Sequence, residues 1–140
     1  MNNKSLWIGR SLSGLMGAFL LLDSVMKMMK AVPAVQATLE LGYPESAVAG
    51  IGIALFISTI LYLIPRTAVL GAILLTGYLG GAVASQVRVG NPLFSHILFP
   101  VYIAVVVWFG IYLRDTGLNA FLSLRRATTS NAHPVLRDIR

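Results

Sequence analysis

"LIPRTAVLGAILLTGYLGGAVASQVRVGNPLFSHILFPVY", Leu63 to Tyr102, decides the fold. No charged residue occurs between Arg66 and Arg88, and the apolar character resumes after "VGNP". Segments of about 20 apolar residues match the ~30 Å hydrocarbon core of a bilayer. Two such segments flank the break at Gly90–Pro92, and a third ends just before Pro65. "IPRT" and "VGNP" therefore read as tight turns between membrane helices. In the second, Gly90 breaks, Asn91 caps, and Pro92 takes the first helical position.

Extending this reading in both directions gives four spans, roughly residues 6–28, 47–64, 68–87 and 92–113. The expected fold is an all-α membrane protein, a four-transmembrane-helix bundle with short loops. Residues 1–124 form its single domain, and 125–140 form a flexible cytoplasmic tail. Pro33 and "LGYPES" mark a polar first loop, with a short interfacial helix over Ala34 to Leu41.

Composition agrees with a bilayer as solvent. Of the 140 residues, 56% are hydrophobic and only 11% charged, with a mean hydropathy of +0.78, where soluble domains carry about 25% charge. The net charge of +6 does not indicate nucleic acid, because most Lys and Arg flank apolar segments and no aromatic platforms interleave with them. The absence of cysteine excludes disulfide, thiolate and iron–sulfur chemistry carried by this chain alone. The first apolar run is too long for a signal-peptide core and lacks a small-residue cleavage site before Asp23, so it reads as a retained helix.

Orientation follows from the basic residues. With the N-terminus inside, Lys4, Arg10, Arg66, Arg114, Arg125, Arg126, Arg137 and Arg140 are cytoplasmic, against Lys27, Lys30 and Arg88 outside. This bias places both termini in the cytoplasm; the expected location is a bacterial inner membrane.

Small residues let membrane helices approach closely. Three ladders stand out: Gly9/Ser13/Gly17, Gly50/Ala54/Ser58 and Gly77/Gly81/Ser85. The fourth span has bulk instead, in Phe99, Tyr102, Trp108 and Phe109, and is expected to fill the remaining side of the bundle.

The unusual polar groups begin with "LLDSVMKMMK", Leu21 to Lys30. Gly9, Ser13, Met16, Leu20, Asp23, Lys27 and Lys30 share one helical stripe. A charge at the bilayer centre costs about 2.5–3.5 kcal/mol on insertion scales, so Asp23 needs partners. The plain reading is an i,i+4 pair with Lys27. The functional reading gathers Asp23, Lys27, Gln86, Arg88 and His96 around one ligand-binding pocket near the outer interface, with Tyr43 and Ser95 at its rim. Pro100 removes the helical partner of the His96 carbonyl, which suits a polar cavity. One inward histidine and one acid are too few for a metal site. No Ser–His–Asp arrangement or phosphate loop is found, and His133, on the tail, leaves no haem pair.

"LLLDSVMKMMK", "LGYP", the Leu63–Tyr102 stretch and "WFGIYLRD" resemble the DoxX-like family of small membrane proteins, over about Ser5 to Leu124. The resemblance implies a four-helix bundle and no single activity. Relatives named DoxX or DoxD are associated with thiosulfate:quinone oxidoreduction or with redox-stress complexes. Many close relatives carry a histidine at the position of Gln86, a departure that weakens any proton-relay or metal reading built on that position.

Three functional classes follow. The leading one is an accessory or ligand-binding protein for a quinone or lipid-like amphiphile. The second is the membrane subunit of a quinone-linked oxidoreductase, with a borrowed cofactor because no intrinsic one is encoded. The third is a structural or assembly subunit, acting on a membrane or redox partner or as a homo-oligomer. No autonomous catalytic motif is present. Four short helices without an inverted repeat argue against a transporter.

Overall fold

The computed structural model describes residues 3–114. The amphipathic segment and tail expected after Asp115 lie outside the described residues. Within them the order is α1 (Asn3–Met28), α2 (Val32–Glu40), α3 (Glu45–Leu63), α4 (Ala68–Arg88), a π-helical turn (Leu93–Ile97) and α5 (Phe99–Arg114). Among the described residues, four stretches are long and apolar enough to cross a membrane: α1, α3, α4, and the π turn continuing into α5. The chain is thus a multi-pass membrane protein, all-helical over the described residues. The short helix expected in the first loop is α2.

The long helices form a ring. α1 packs against α3 and α5, and α4 packs against the same two; across the diagonal, Tyr62 of α3 reaches α5, donating to the Val107 carbonyl and accepting from Arg114 at its own carbonyl. Leu55, Tyr62, Ala72, Leu75, Val107 and Ile111 are fully buried at the centre. Large apolar side chains also point outward, with Leu15 73% and Phe94 75% exposed. An outer surface as greasy as the core suits lipid as the surrounding solvent. Hydroxyls inside the helices bond back one turn: Ser58 to the Ala54 carbonyl, Thr59 to Leu55 and Thr76 to Ala72. This satisfies them without water.

The close contacts correct the expected ladders. Gly9, Ser13 and Gly17 are buried as a set. A Cβ on Gly9 would lie 2.7 Å from the Leu113 Cβ, and one on Gly17 would strike Leu63. On α3, however, Gly50 faces open space and Gly52 makes the contact, its Cβ position 2.9 Å from the Met28 nitrogen and the Ser24 carbonyl. On α4, Gly77 and Gly81 face open space, and Gly71 packs against the Tyr62 backbone. Gly50 and Gly52 differ by about 200° around the helix. In spans apolar on every side, spacing alone cannot choose between two such faces.

The fourth span differs too. Phe99, Tyr102 and Phe109 are about half exposed on the outside. Gly110 makes the inward contact, its Cβ position 2.6 Å from Ser13 Oγ. Asn91 caps nothing; its side-chain amide donates to Gln86 Oε1. Pro92 precedes the π turn in an extended conformation instead of opening an α-helix.

Candidate functional site

The Asp23–Lys27 ion pair forms on α1, one turn apart. Lys27 is the more enclosed partner: its side chain is 16% exposed, against 40% for Asp23. Its stem is held against α3 because Gly52 offers no side chain, the Gly52 Cβ position lying 2.8 Å from Lys27 Cβ. An ammonium so enclosed needs an anion, and Asp23 is the one in reach.

Both side chains face a cavity of about 570 Å³ at the end of the bundle that carries the α1–α2–α3 and α4–α5 connections. α1, α4 and α5 supply most of its wall, and α2 with the following loop lies across it through Ala37, Thr38, Leu41 and Tyr43. Gly77 and Gly81 line it. Their missing side chains leave space rather than a helix contact, which explains why they form no packing ladder.

The cavity wall mixes apolar residues such as Leu20, Leu79 and Ile103 with the hydroxyls of Tyr43, Tyr78 and Ser85 and the Gln86 amide. Tyr43 and Ser85 share a hydrogen bond of 2.7 Å, and Ser85 donates to the Gly81 carbonyl at 2.9 Å. Thr38 donates to Ala34. Asp23 and Tyr43 are electrostatic neighbours of Tyr78. The described residues contain no group of three or more His, Asp or Glu suited to a metal.

Of the sequence-derived set, Asp23, Lys27 and Gln86 meet at the cavity, with Tyr43 beside them. Arg88 and His96 do not line it. Arg88 is exposed; it donates through Nη2 to the Leu41 carbonyl and lies over the Tyr43 ring, 5.6 Å from its centroid. It ties the loop to the end of α4, and the partner of Asp23 is Lys27. His96 is exposed on the π turn, its Nδ1 2.7 Å from Ser95 Oγ. The π turn sets this direction: it precedes the regular helix, so extrapolating α-helical spacing back from Phe99 misplaces His96. Pro100 is buried in the cavity wall.

Sequence reasoning missed Tyr78 and Thr38. A tyrosine inside "TGYLGG", flanked by glycines that leave space around it, was the available signal for the first. It also missed a second polar node toward the opposite end of the bundle. Fully buried Tyr62 donates to Ser13 Oγ at 3.0 Å, and Arg114 donates to the Tyr62 carbonyl while lying over its ring.

A multi-pass four-helix bundle with a partly open, largely apolar cavity at one end, carrying a few polar groups, is the class of protein these features define. The chain belongs to the DoxX-like family, whose family model matches residues 11–110, from α1 to near the end of α5. No curated protein and no solved structure matches the chain.

Proposed function

We propose that this DoxX-like protein is an accessory or ligand-binding protein of the bacterial cytoplasmic membrane, and that its cavity takes a small amphiphile such as a quinone or lipid-like molecule. The observation that carries this reading is the convergence of Asp23, Lys27, Tyr43, Tyr78, Ser85 and Gln86 on one otherwise apolar space. Ligand sites combine apolar walls with a few placed polar groups and often lie between the helices of bundles. Ionisable groups inside membrane segments are retained where they serve a ligand or a polar pathway. The excess of basic residues on the terminal side supports both termini in the cytoplasm, with the cavity toward the outer interface.

The test is extraction in mild detergent followed by mass spectrometry of the co-purified small molecules. A stoichiometric amphiphile retained by the wild type and lost from Tyr78→Phe/Gln86→Leu supports the proposal. Recovery of a partner protein with no small molecule overturns it in favour of a structural subunit.

A further inference from the structure

Beside the polar cavity lies a second space of about 580 Å³, a groove between α1 and α5 with almost entirely apolar walls. The two share Phe19, Phe99 and Ile103 as wall residues. Phe19 and Phe99 meet edge to face, with centroids 6.5 Å apart and planes at 77°, and each is 48% exposed. From there the groove runs along α1 from Leu22 to Leu15 and along antiparallel α5 from Phe99 to Val106, a length of about 10 Å by helical rise. It therefore leads from the connection end toward the middle of the bundle. A molecule in one leaflet points the same way, with its head at the interface and its tail toward the bilayer centre.

The chemistry of the head can be narrowed. The cavity's charges neutralise each other in the Asp23–Lys27 pair. An ionic head would have to break that pair or stay uncompensated. Among the described residues, the Tyr78 hydroxyl and the Gln86 Nε2 donate to no hydrogen bond, whereas Gln86 Oε1 is taken by Asn91. Free donors call for acceptor oxygens. Phe99 opens α5 directly after the π turn and Leu98, and such turns recur where helices do something other than pack.

We propose that cavity and groove form one site for a single-tailed amphiphile with a neutral, carbonyl-bearing head. The head sits by Tyr78 and Gln86, and the tail leaves between Phe19 and Phe99 to lie in the α1–α5 groove, the route by which the molecule enters from the bilayer. This rests on the ligand-binding reading above.

The probes are 2,3-dimethoxy-5-methyl-6-decyl-1,4-benzoquinone and the same quinone without the decyl chain, titrated against the full-length protein in one detergent. Ala18 lines the groove and is exposed, so Ala18→Trp fills the groove without entering the core. The variant is expected to weaken the decyl probe about tenfold and leave the tail-less probe within about twofold. Equal affinity of wild type and Ala18→Trp for the decyl probe overturns the groove assignment, while the cavity reading survives through the tail-less probe. Wild-type protein that binds neither probe overturns the carbonyl-head assignment; an unrelated amphiphile found by mass spectrometry would still uphold the ligand-binding reading.

Discussion

The guanidinium of Arg88 lies over the ring of Tyr43, 5.6 Å from its centroid, while its Nη2 donates to the Leu41 carbonyl. A cation that the sequence directs at Asp23 is instead committed to the loop over the cavity. Asp23 is left with Lys27.

Charge coupling should therefore run along α1. Asp23→Asn is expected to lower stability by about 1–3 kcal/mol, because it leaves a largely enclosed ammonium unpaired, and adding Lys27→Met should recover part of the loss. Asp23→Asn combined with Arg88→Gln should be additive within about 0.5 kcal/mol. Unfolding curves in detergent for the single and double variants decide this. Strong coupling to Arg88 would return that side chain to the cavity.

The glycines divide into two kinds. Gly52→Ala and Gly71→Ala place a Cβ against backbone atoms, and each should cost about 1–3 kcal/mol through overpacking. Gly81→Leu meets open space. It should melt near the wild type yet fill the cavity and abolish ligand retention. A melting temperature for Gly81→Leu as low as that of Gly71→Ala would show a helix contact at Gly81.

Tyr62→Phe removes the buried donor to Ser13 Oγ. The expected cost is about 1–2 kcal/mol, the penalty for stranding a polar partner away from water. In Tyr62→Phe/Ser13→Ala the second change should cost less than Ser13→Ala does alone. Thermal melts of the four proteins measure the difference, and full additivity would remove the hydroxyl pair from the account of the core.

Gly42 has a φ of +80°, and a Cβ there would lie 2.9 Å from Arg88 Nη2. Gly42→Ala should cost about 1 kcal/mol for the left-handed backbone alone and loosen the Arg88 tie. Hydrogen exchange should quicken at Leu41–Tyr43 and stay unchanged in the middle of α3. Uniform acceleration throughout the bundle would assign Gly42 a global role instead.

Topology is the remaining expectation. Reporter fusions after Arg140 should read cytoplasmic, and insertions near Gln36 should read periplasmic, following the eight-to-three bias in Lys and Arg. A periplasmic C-terminus would turn the cavity to face the cytoplasm.

The spans were legible because the bilayer imposes a length and an apolar composition on any segment that crosses it, and Pro65 and Gly90 punctuate those segments locally. The Asp23–Lys27 pair was legible because i,i+4 neighbours meet on any helix. Part of the cavity followed, since Asp23, Lys27 and Gln86 lie toward the same end of their spans. The rotation of each helix was a different matter. A soluble helix shows its inward face by contrast with its polar one, but α3 and α4 are apolar all round, so the ladder spacing pointed to Gly50 where packing chose Gly52. The destinations of Arg88 and His96 depended on the loop that reaches Arg88 and on the π turn that carries His96. Tyr62, a single hydroxyl in a greasy run, acquired its partners only when Ser13, Val107 and Arg114 arrived from distant parts of the chain. Length, composition and local pairing are properties of one segment, which sequence alone determines. Which face turns inward is a property of the neighbours, and only the tertiary structure decides it.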